Sequence, residues 1–363
     1  MSEANGTMNM TTRDDVAAWL DGLSSRLTLI APRAVEGQVL YRPVAGSAEI
    51  AFDFGKADLP VKEYFLPSTH VLFSVEKDKE GLRVEEPALE EERVVFGLRP
   101  CDARALRILD ALFLKEPVDP YYARRREKTT LIGLACREMG AECFCTSLGL
   151  APDDASDVDL MLTEVGKGGK GYAVQVVTRK GEAVLGGLRL EEVEGTIWAG
   201  WKACPTSEKT PILETEAWPQ HFGHVYWARL ADRCLSCRVC TYVCPTCRCF
   251  DVRDYETSQG SIERLQAWDS CMAEGYRRIA GGHNPRPTKA ERLRNRFYCK
   301  FCYYPQDFGP LACVGCGRCI ARCPVNVDIV EVLEHVAWLG QRPARAGQRG
   351  SRGAGESIMK GGR

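Results

Sequence analysis

The chain has 363 residues, and its 48 Lys and Arg against 49 Asp and Glu leave no global basic field to recruit nucleic acid or an anionic membrane. At about 150 residues per domain the length suits two domains. The 45% hydrophobic content is that of an ordinary soluble chain, and no uncharged run is long enough to span a bilayer.

Residues Met1 to Leu20 are polar and include Asp14 and Asp15, without the apolar stretch of a signal peptide, so a cytoplasmic location is expected. Apolar or β-branched runs then follow at Val71 to Val75, Val94 to Phe96, Thr130 to Leu134 and Val174 to Val177, and they read as strands. Between the second and third, Arg104 to Leu114 carries Leu106, Leu109, Leu112 and Phe113 at helical spacing behind Asp102 as N-cap. Strand, helix and strand in that order predict a parallel crossover, and residues 1–215 are expected to form an α/β domain.

From about Trp218 the pattern turns helical. Leu265, Trp268, Met272, Tyr276 and Ile279 predict one helix over Ile262 to Ala280. Thr288 and Glu291 have capping-box spacing ahead of Leu293, Phe297 and Phe301, which predicts a second. Val327 to Leu339 predicts a third. Residues 216–340 are therefore expected to form a mainly α-helical domain. Residues 341–363, rich in Gly and Arg, read as a disordered basic tail.

Cysteine is the anomalous residue: there are 18, thirteen of them between Cys234 and Cys323. A disulfide scaffold needs a short secreted chain, so metal coordination is the better account. Cys234-Leu-Ser-Cys237-Arg-Val-Cys240-Thr-Tyr-Val-Cys244-Pro245 recurs as Cys313-Val-Gly-Cys316-Gly-Arg-Cys319-Ile-Ala-Arg-Cys323-Pro324. In C-x2-C-x2-C-x3-C-P, three close thiolates wrap one cubane and the fourth is directed to the other cluster. The expected sets are Cys234, Cys237, Cys240 and Cys323 for one 4Fe-4S cluster, and Cys313, Cys316, Cys319 and Cys244 for the second. Zinc explains pairs of cysteines less awkwardly than doubled quartets. The 68 residues between Cys244 and Cys313 leave little room for a compact β-type ferredoxin and favour a helical dicluster module. Arg277, Arg278, Arg286, Lys289, Arg292, Arg294 and Arg296 gather there, either to offset cluster charge and meet an acidic partner or as a solvated helix face.

A third set is Cys101, Cys136, Cys143 and Cys145. If the strands before Cys101 and Cys136 are parallel neighbours, both thiols emerge at the same rim of the sheet. Cys101 also meets a helix N-terminus, which favours a thiolate. A third 4Fe-4S site is expected here, with buried structural thiols as the alternative. Cys204, Cys247, Cys249, Cys271, Cys299 and Cys302 remain, with arithmetic enough for a fourth site but no signature tying them together; structural thiols are the expectation. Gly166-Lys-Gly-Gly-Lys-Gly171 joins apparent strands and reads as a hairpin turn, so no nucleotide or flavin site is expected. His221 and His224 read as part of a packed helix surface.

Gly97-Leu-Arg-Pro-Cys-Asp102, Asp119-Pro-Tyr-Tyr122, Cys143-Phe-Cys-Thr146, Cys244-Pro-Thr-Cys247, Trp268-Asp-Ser-Cys271, Gly281-Gly-His-Asn-Pro-Arg286 and Cys313-Val-Gly-Cys-Gly-Arg-Cys319 resemble the iron-sulfur β subunit of cytosolic sulfhydrogenases, the NAD(P)-linked nickel-iron hydrogenases, and its relative, the A component of anaerobic sulfite reductase. The resemblance spans about residues 60 to 335. It implies an electron-transfer subunit working between a flavoprotein that oxidises NAD(P)H and a catalytic partner. That partner is either the small and large hydrogenase subunits or a sulfite reductase catalytic subunit; a heterodisulfide-reductase-like component is a related possibility. No substrate turnover by the chain alone is implied. A self-contained enzyme with an open third cluster, or a zinc-bound scaffold, are the competing readings from the residues.

Overall fold

The computed structural model describes residues 6–77, 79, 81–87, 91–165, 171–195, 210–257 and 260–341. Among the described residues twelve strands run in chain order: β1 (Gly6–Thr12), β2 (Thr28–Val35), β3 (Gln38–Pro43), β4 (Thr69–Lys77), β5 (Leu82–Glu85), β6 (Arg93–Leu98), β7 (Thr129–Leu134), β8 (Leu160–Val165), β9 (Gly171–Val176), β10 (Glu191–Gly195), β11 (Phe250–Glu256) and β12 (Ile262–Trp268). Eight of them form a mixed sheet in the order β10-β1-β9-β8-β7-β6-β2-β3. Its centre is parallel, with β2 on β6, β6 on β7 and β7 on β8, while the flanks are antiparallel.

Parallel strands must be covered on both faces, and the period-two alternation of their side chains shows how. Val94 and Phe96 of β6 enter the core made with Val16, Trp19, Leu20 and Leu23 of helix Arg13–Ser24. Val95 between them enters the opposite core with Leu106, Leu109 and Phe113 of helix Pro100–Phe113. The expected α/β crossover is present as β6, that helix and β7. Its N-cap is Arg99, without a side-chain capping bond, and not Asp102, whose carboxylate is engaged elsewhere.

The second sheet, β11-β12-β4-β5, joins strands from either side of residue 216. Two expectations change here. The run Val71 to Val75 is a strand, but it pairs with β12 and β5 outside the large sheet. The helix expected over Ile262 to Ala280 is absent: Ile262–Trp268 is β12, hydrogen-bonded on one side to β11 and on the other to β4. The helical spacing of Leu265, Trp268, Met272, Tyr276 and Ile279 spans a strand and an irregular segment, and ladder bonds on both edges outweigh it. Trp268 is fixed by its indole donating to the Leu66 carbonyl at 2.8 Å. The region between the cysteine motifs is thus partly β-structured, not mainly helical.

The other helices form where expected. Thr288 and Glu291 make a reciprocal capping box at the start of Lys289–Tyr298, and Asp328 caps Ile329–Gly340. Leu293, Phe297 and Phe301 join Trp218, Trp227, Leu230, Leu333 and Val336 in a separate core. The antiparallel pairing of β8 and β9 brackets residues 166–170, which lie outside the described residues, as does the basic tail from residue 342. Among the described residues no helix is long and apolar enough to cross a membrane.

Candidate metal centres

The two cysteine motifs fold alike. In each, the middle of the first C-x2-C takes a left-handed conformation, at Ser236 (φ 55°) and Gly315 (φ 63°), and so does the residue after the second cysteine, at Arg238 (φ 68°) and Gly317 (φ 71°). A short helix then carries the third cysteine, Val239–Tyr242 with Cys240 and Arg318–Ala321 with Cys319, and the two short helices pack on each other. All described cysteines are free thiols.

Several donors point at these sulfurs. The Ser236 amide donates to Cys234 Sγ at 3.3 Å and the Val327 amide to Cys323 Sγ at 3.2 Å. Lys300, 3% exposed, donates to Cys244 Sγ at 3.2 Å, Thr246 Oγ1 at 3.1 Å and the Ala312 carbonyl at 3.0 Å. Hydrogen bonding from Cys247 and the Lys300 ammonium, against the cost of burial, hold the Cys244 thiol well below its usual range. Burial pushes the Cys313 thiol up to about 12 and the Cys319 thiol to about 11, with Lys300 and Arg296 respectively opposing. Arg296, 3% exposed, lies near Cys240, Cys319, Cys247 and Cys244, and its buried Nε and Nη2 have no partner in the protein. A buried guanidinium with orphaned donors is costly. A negatively charged iron-sulfur cluster with sulfide acceptors is the group that would satisfy it, so the residues fit the cofactor. Arg292 and Arg296 are therefore interior groups and not part of a solvated helix face.

The N-terminal cysteines gather against the second motif. Parallel β6 and β7 end side by side, and Cys101, in the first turn of its helix, and Cys136 leave from the same rim. Buried Arg99 laces that rim together by donating to the carbonyls of Leu134 (3.1 Å) and Ala135 (2.6 Å). Cys101, Cys143 and Cys145 share a buried cluster with Cys316, Ile108, Met139, Tyr304 and Val314. Burial raises the pKa of Cys136 and of Cys145, the nearby Cys143 thiol adds to the rise in both, and Lys56 donates to Cys143 Sγ at 3.7 Å. The expected rim placement of Cys101 and Cys136 is present.

Two glycines permit this docking. The Phe144 amide donates to the Gly315 carbonyl at 2.9 Å, and a Cβ on Gly315 would lie 2.5 Å from the Cys145 backbone. A Cβ on Gly317 would lie 2.4 Å from the Glu142 carbonyl oxygen. The equivalent positions of the first motif, Ser236 and Arg238, face no such loop and instead line a cavity of about 1610 Å³. Among the described residues no three Cys, His, Asp or Glu side chains converge on a point suited to a single metal ion, in the ferredoxin motifs or elsewhere.

Of the six leftover cysteines, Cys302 is buried in the helical core, Cys204 lies outside the described residues, and Cys247, Cys249, Cys271 and Cys299 all line the cavity beside the first motif. Sequence reasoning did not group those four. The signal available was a C-x-C pair with two distant partners, the same arrangement as in the Cys101, Cys136, Cys143 and Cys145 set.

Residues 233–327, which contain both motifs, match the family of the 4Fe-4S dicluster domain. This defines the class: an iron-sulfur protein with a ferredoxin-like C-terminal part set on an α/β sheet. Over 306 residues, 82% of this chain and 88% of the relative, it is 33% identical to Sulfhydrogenase 2 subunit beta of Pyrococcus furiosus. The chain belongs to the sulfhydrogenase β-subunit family.

Proposed function

We propose that this chain is the electron-relay subunit of a cytoplasmic nickel-iron hydrogenase complex, placed between an NAD(P)H-oxidising flavoprotein and the small and large hydrogenase subunits. When bound, 4Fe-4S clusters supply one-electron exchange at low potential. In this reading Cys234, Cys237, Cys240 and Cys323 hold one cluster, and Cys313, Cys316, Cys319 and Cys244 the second. The thiol of Cys244 is within electrostatic reach of Cys313, Cys316 and Cys319, which supports the exchanged fourth ligand. Cys101, Cys136, Cys143 and Cys145 hold a third. Residues 1–215 act as the α/β support and residues 216–340 as the dicluster module.

The observation that carries the reading is the contact of the Cys143 to Cys145 loop with Gly315 and Cys316, because it brings the third thiol set against the second motif. Continuous close spacing is what a relay requires. The chain's own residues do the tuning: Lys300 and the amides of Ser236 and Val327 donate to sulfur, while burial excludes water.

Anaerobic isolation of the intact complex, with metal analysis and identification of the partner chains, tests this. A nickel-containing partner and a flavoprotein are expected, with at least about eight irons on this chain. A sirohaem partner would reassign the chain to sulfite reduction, as the A component of that enzyme. Iron far below eight after reconstitution would reject the relay altogether.

A further inference from the structure

The cavity beside the first motif presents four cysteines that the relay described above does not use. Cys247 and Cys249 enter from the segment that follows the first motif, Cys271 from the turn after β12, and Cys299 from the end of helix Lys289–Tyr298. We propose that Cys247, Cys249, Cys271 and Cys299 are the ligands of a fourth 4Fe-4S cluster, seated in this cavity next to the first ferredoxin cluster.

Three observations carry it. Cys249 and Cys271 are in direct thiol-to-thiol contact, and Cys247 and Cys299 lie within electrostatic reach of Cys271, so separate chain segments deliver four thiols to one place. A structural thiol packs as a small hydrophobe; here four of them line one cavity.

The surroundings are cationic and under-satisfied. Arg248 donates to Cys299 Sγ at 3.6 Å and its guanidinium covers the ring of Tyr304. Arg292 and Arg296, both more than nine-tenths buried, line the same cavity with their Nε groups unpartnered. A cubane with four thiolates carries net negative charge and sulfide acceptors, which is what these donors lack. Tyr276 adds a hydroxyl hydrogen-bonded to Cys249.

The ligand pattern repeats within the molecule. Cys143-Phe-Cys145 with Cys101 and Cys136 seats against the second motif, and Cys247-Arg-Cys249 with Cys271 and Cys299 lies beside the first. Cys247 is also hydrogen-bonded to Cys244, the ligand exchanged between motifs, so the new site adjoins both ferredoxin clusters. Its outer wall, with Arg253, Arg277 and Arg278, opens towards solvent, which places the fourth cluster where the chain would hand electrons to an acidic partner.

This deepens the relay reading and is tested so that the two can fail separately. The full complex is isolated anaerobically as wild type, as the C249S/C271S double variant, and as the C313S/C316S double variant. With the fourth site present, C249S/C271S loses about four irons and about four acid-labile sulfides per chain while the remaining clusters persist by Mössbauer spectroscopy. Unchanged iron in C249S/C271S, with a normal loss in C313S/C316S, overturns the fourth site alone. Unchanged iron in both overturns the relay as well. A second measurement avoids variants that misfold: in wild-type complex, Cys249 and Cys299 resist iodoacetamide until iron is chelated. Their labelling in the iron-replete protein, read by peptide mass spectrometry, also overturns the assignment.

Discussion

Arg318 and Asp102 form a two-pronged ion pair, both bonds 2.7 Å, with side chains 2% and 0% exposed. Arg318 follows Cys316 and Gly317 in the second motif, and Asp102 follows Cys101 on the α/β side, so one buried pair joins the neighbours of two proposed cluster ligands. Arg318 also donates to the Ala57 carbonyl at 2.8 Å. Burial opposes the charge on Arg318, but Asp102 and Cys316 more than offset it and hold its pKa well above the usual value.

Breaking this pair strands a buried charge. Asp102→Asn is expected to cost about 3–5 kcal/mol of stability, because the desolvated guanidinium loses its counter-charge. The apolar double replacement D102L/R318M is expected to lose less than the single variant, as read from urea midpoints. Equal or greater loss in the double variant would show that the pair does more than neutralise itself.

Gly315 and Gly317 are predicted to tolerate no side chain. Each has a positive φ and a protein backbone within 2.5 Å of where Cβ would be. Gly317→Ala is expected to cost about 2–4 kcal/mol from strain and overlap together, and to release iron from the Cys101, Cys136, Cys143 and Cys145 set before the ferredoxin motifs. The matching change Arg238→Gly in the first motif removes left-handed strain and is expected to be neutral or stabilising by about 1 kcal/mol. Thermal melts with iron release followed in parallel distinguish the two.

Lys300 donates to Cys244, Thr246 and Ala312 from a fully enclosed position. Lys300→Met is expected to cost about 2–3 kcal/mol and to make the potential of the cluster held by Cys244 more negative, since a positive charge and a sulfur hydrogen bond both favour the reduced form. Potentiometric titration followed by electron paramagnetic resonance reads the shift. A shift to more positive potential would contradict the placement of that ammonium against the cluster.

His221 and His335 set an acid limit to stability. His335 stacks on Tyr226 with ring centroids 3.8 Å apart, and the Nε2 atoms of both histidines are buried without partners. Burial first, then His224, lowers both pKa values below 6.5. The unfolded chain therefore takes up these protons first as pH falls. Stability contributed by the neutral rings is full above the unfolded value, begins to fall near it, and levels off below the depressed folded values. His335→Phe, which keeps the stack, is expected to flatten the urea midpoint against pH between about 7 and 5. An unchanged slope would place the acid sensitivity elsewhere.

The paired C-x2-C-x2-C-x3-C-P motifs, the crossover from β6 to β7 and the capping box at Thr288 were legible in the sequence, because each depends on contacts within a few residues or on simple periodicity. The sequence alone therefore determined the cofactor class, while the shared sheet rim of Cys101 and Cys136 followed from it only once β6 and β7 are parallel neighbours. It could not decide that Ile262–Trp268 is a strand, since one of the two strands that bond it, β4, lies nearly two hundred residues earlier and only β11 is local. Nor could it decide that Cys143 to Cys145 rests on Gly315, or that Cys247, Cys249, Cys271 and Cys299 line one cavity. Those relationships join segments distant in the chain, and they are set by which surfaces fit and which buried charges find a partner. Only the folded protein specifies that.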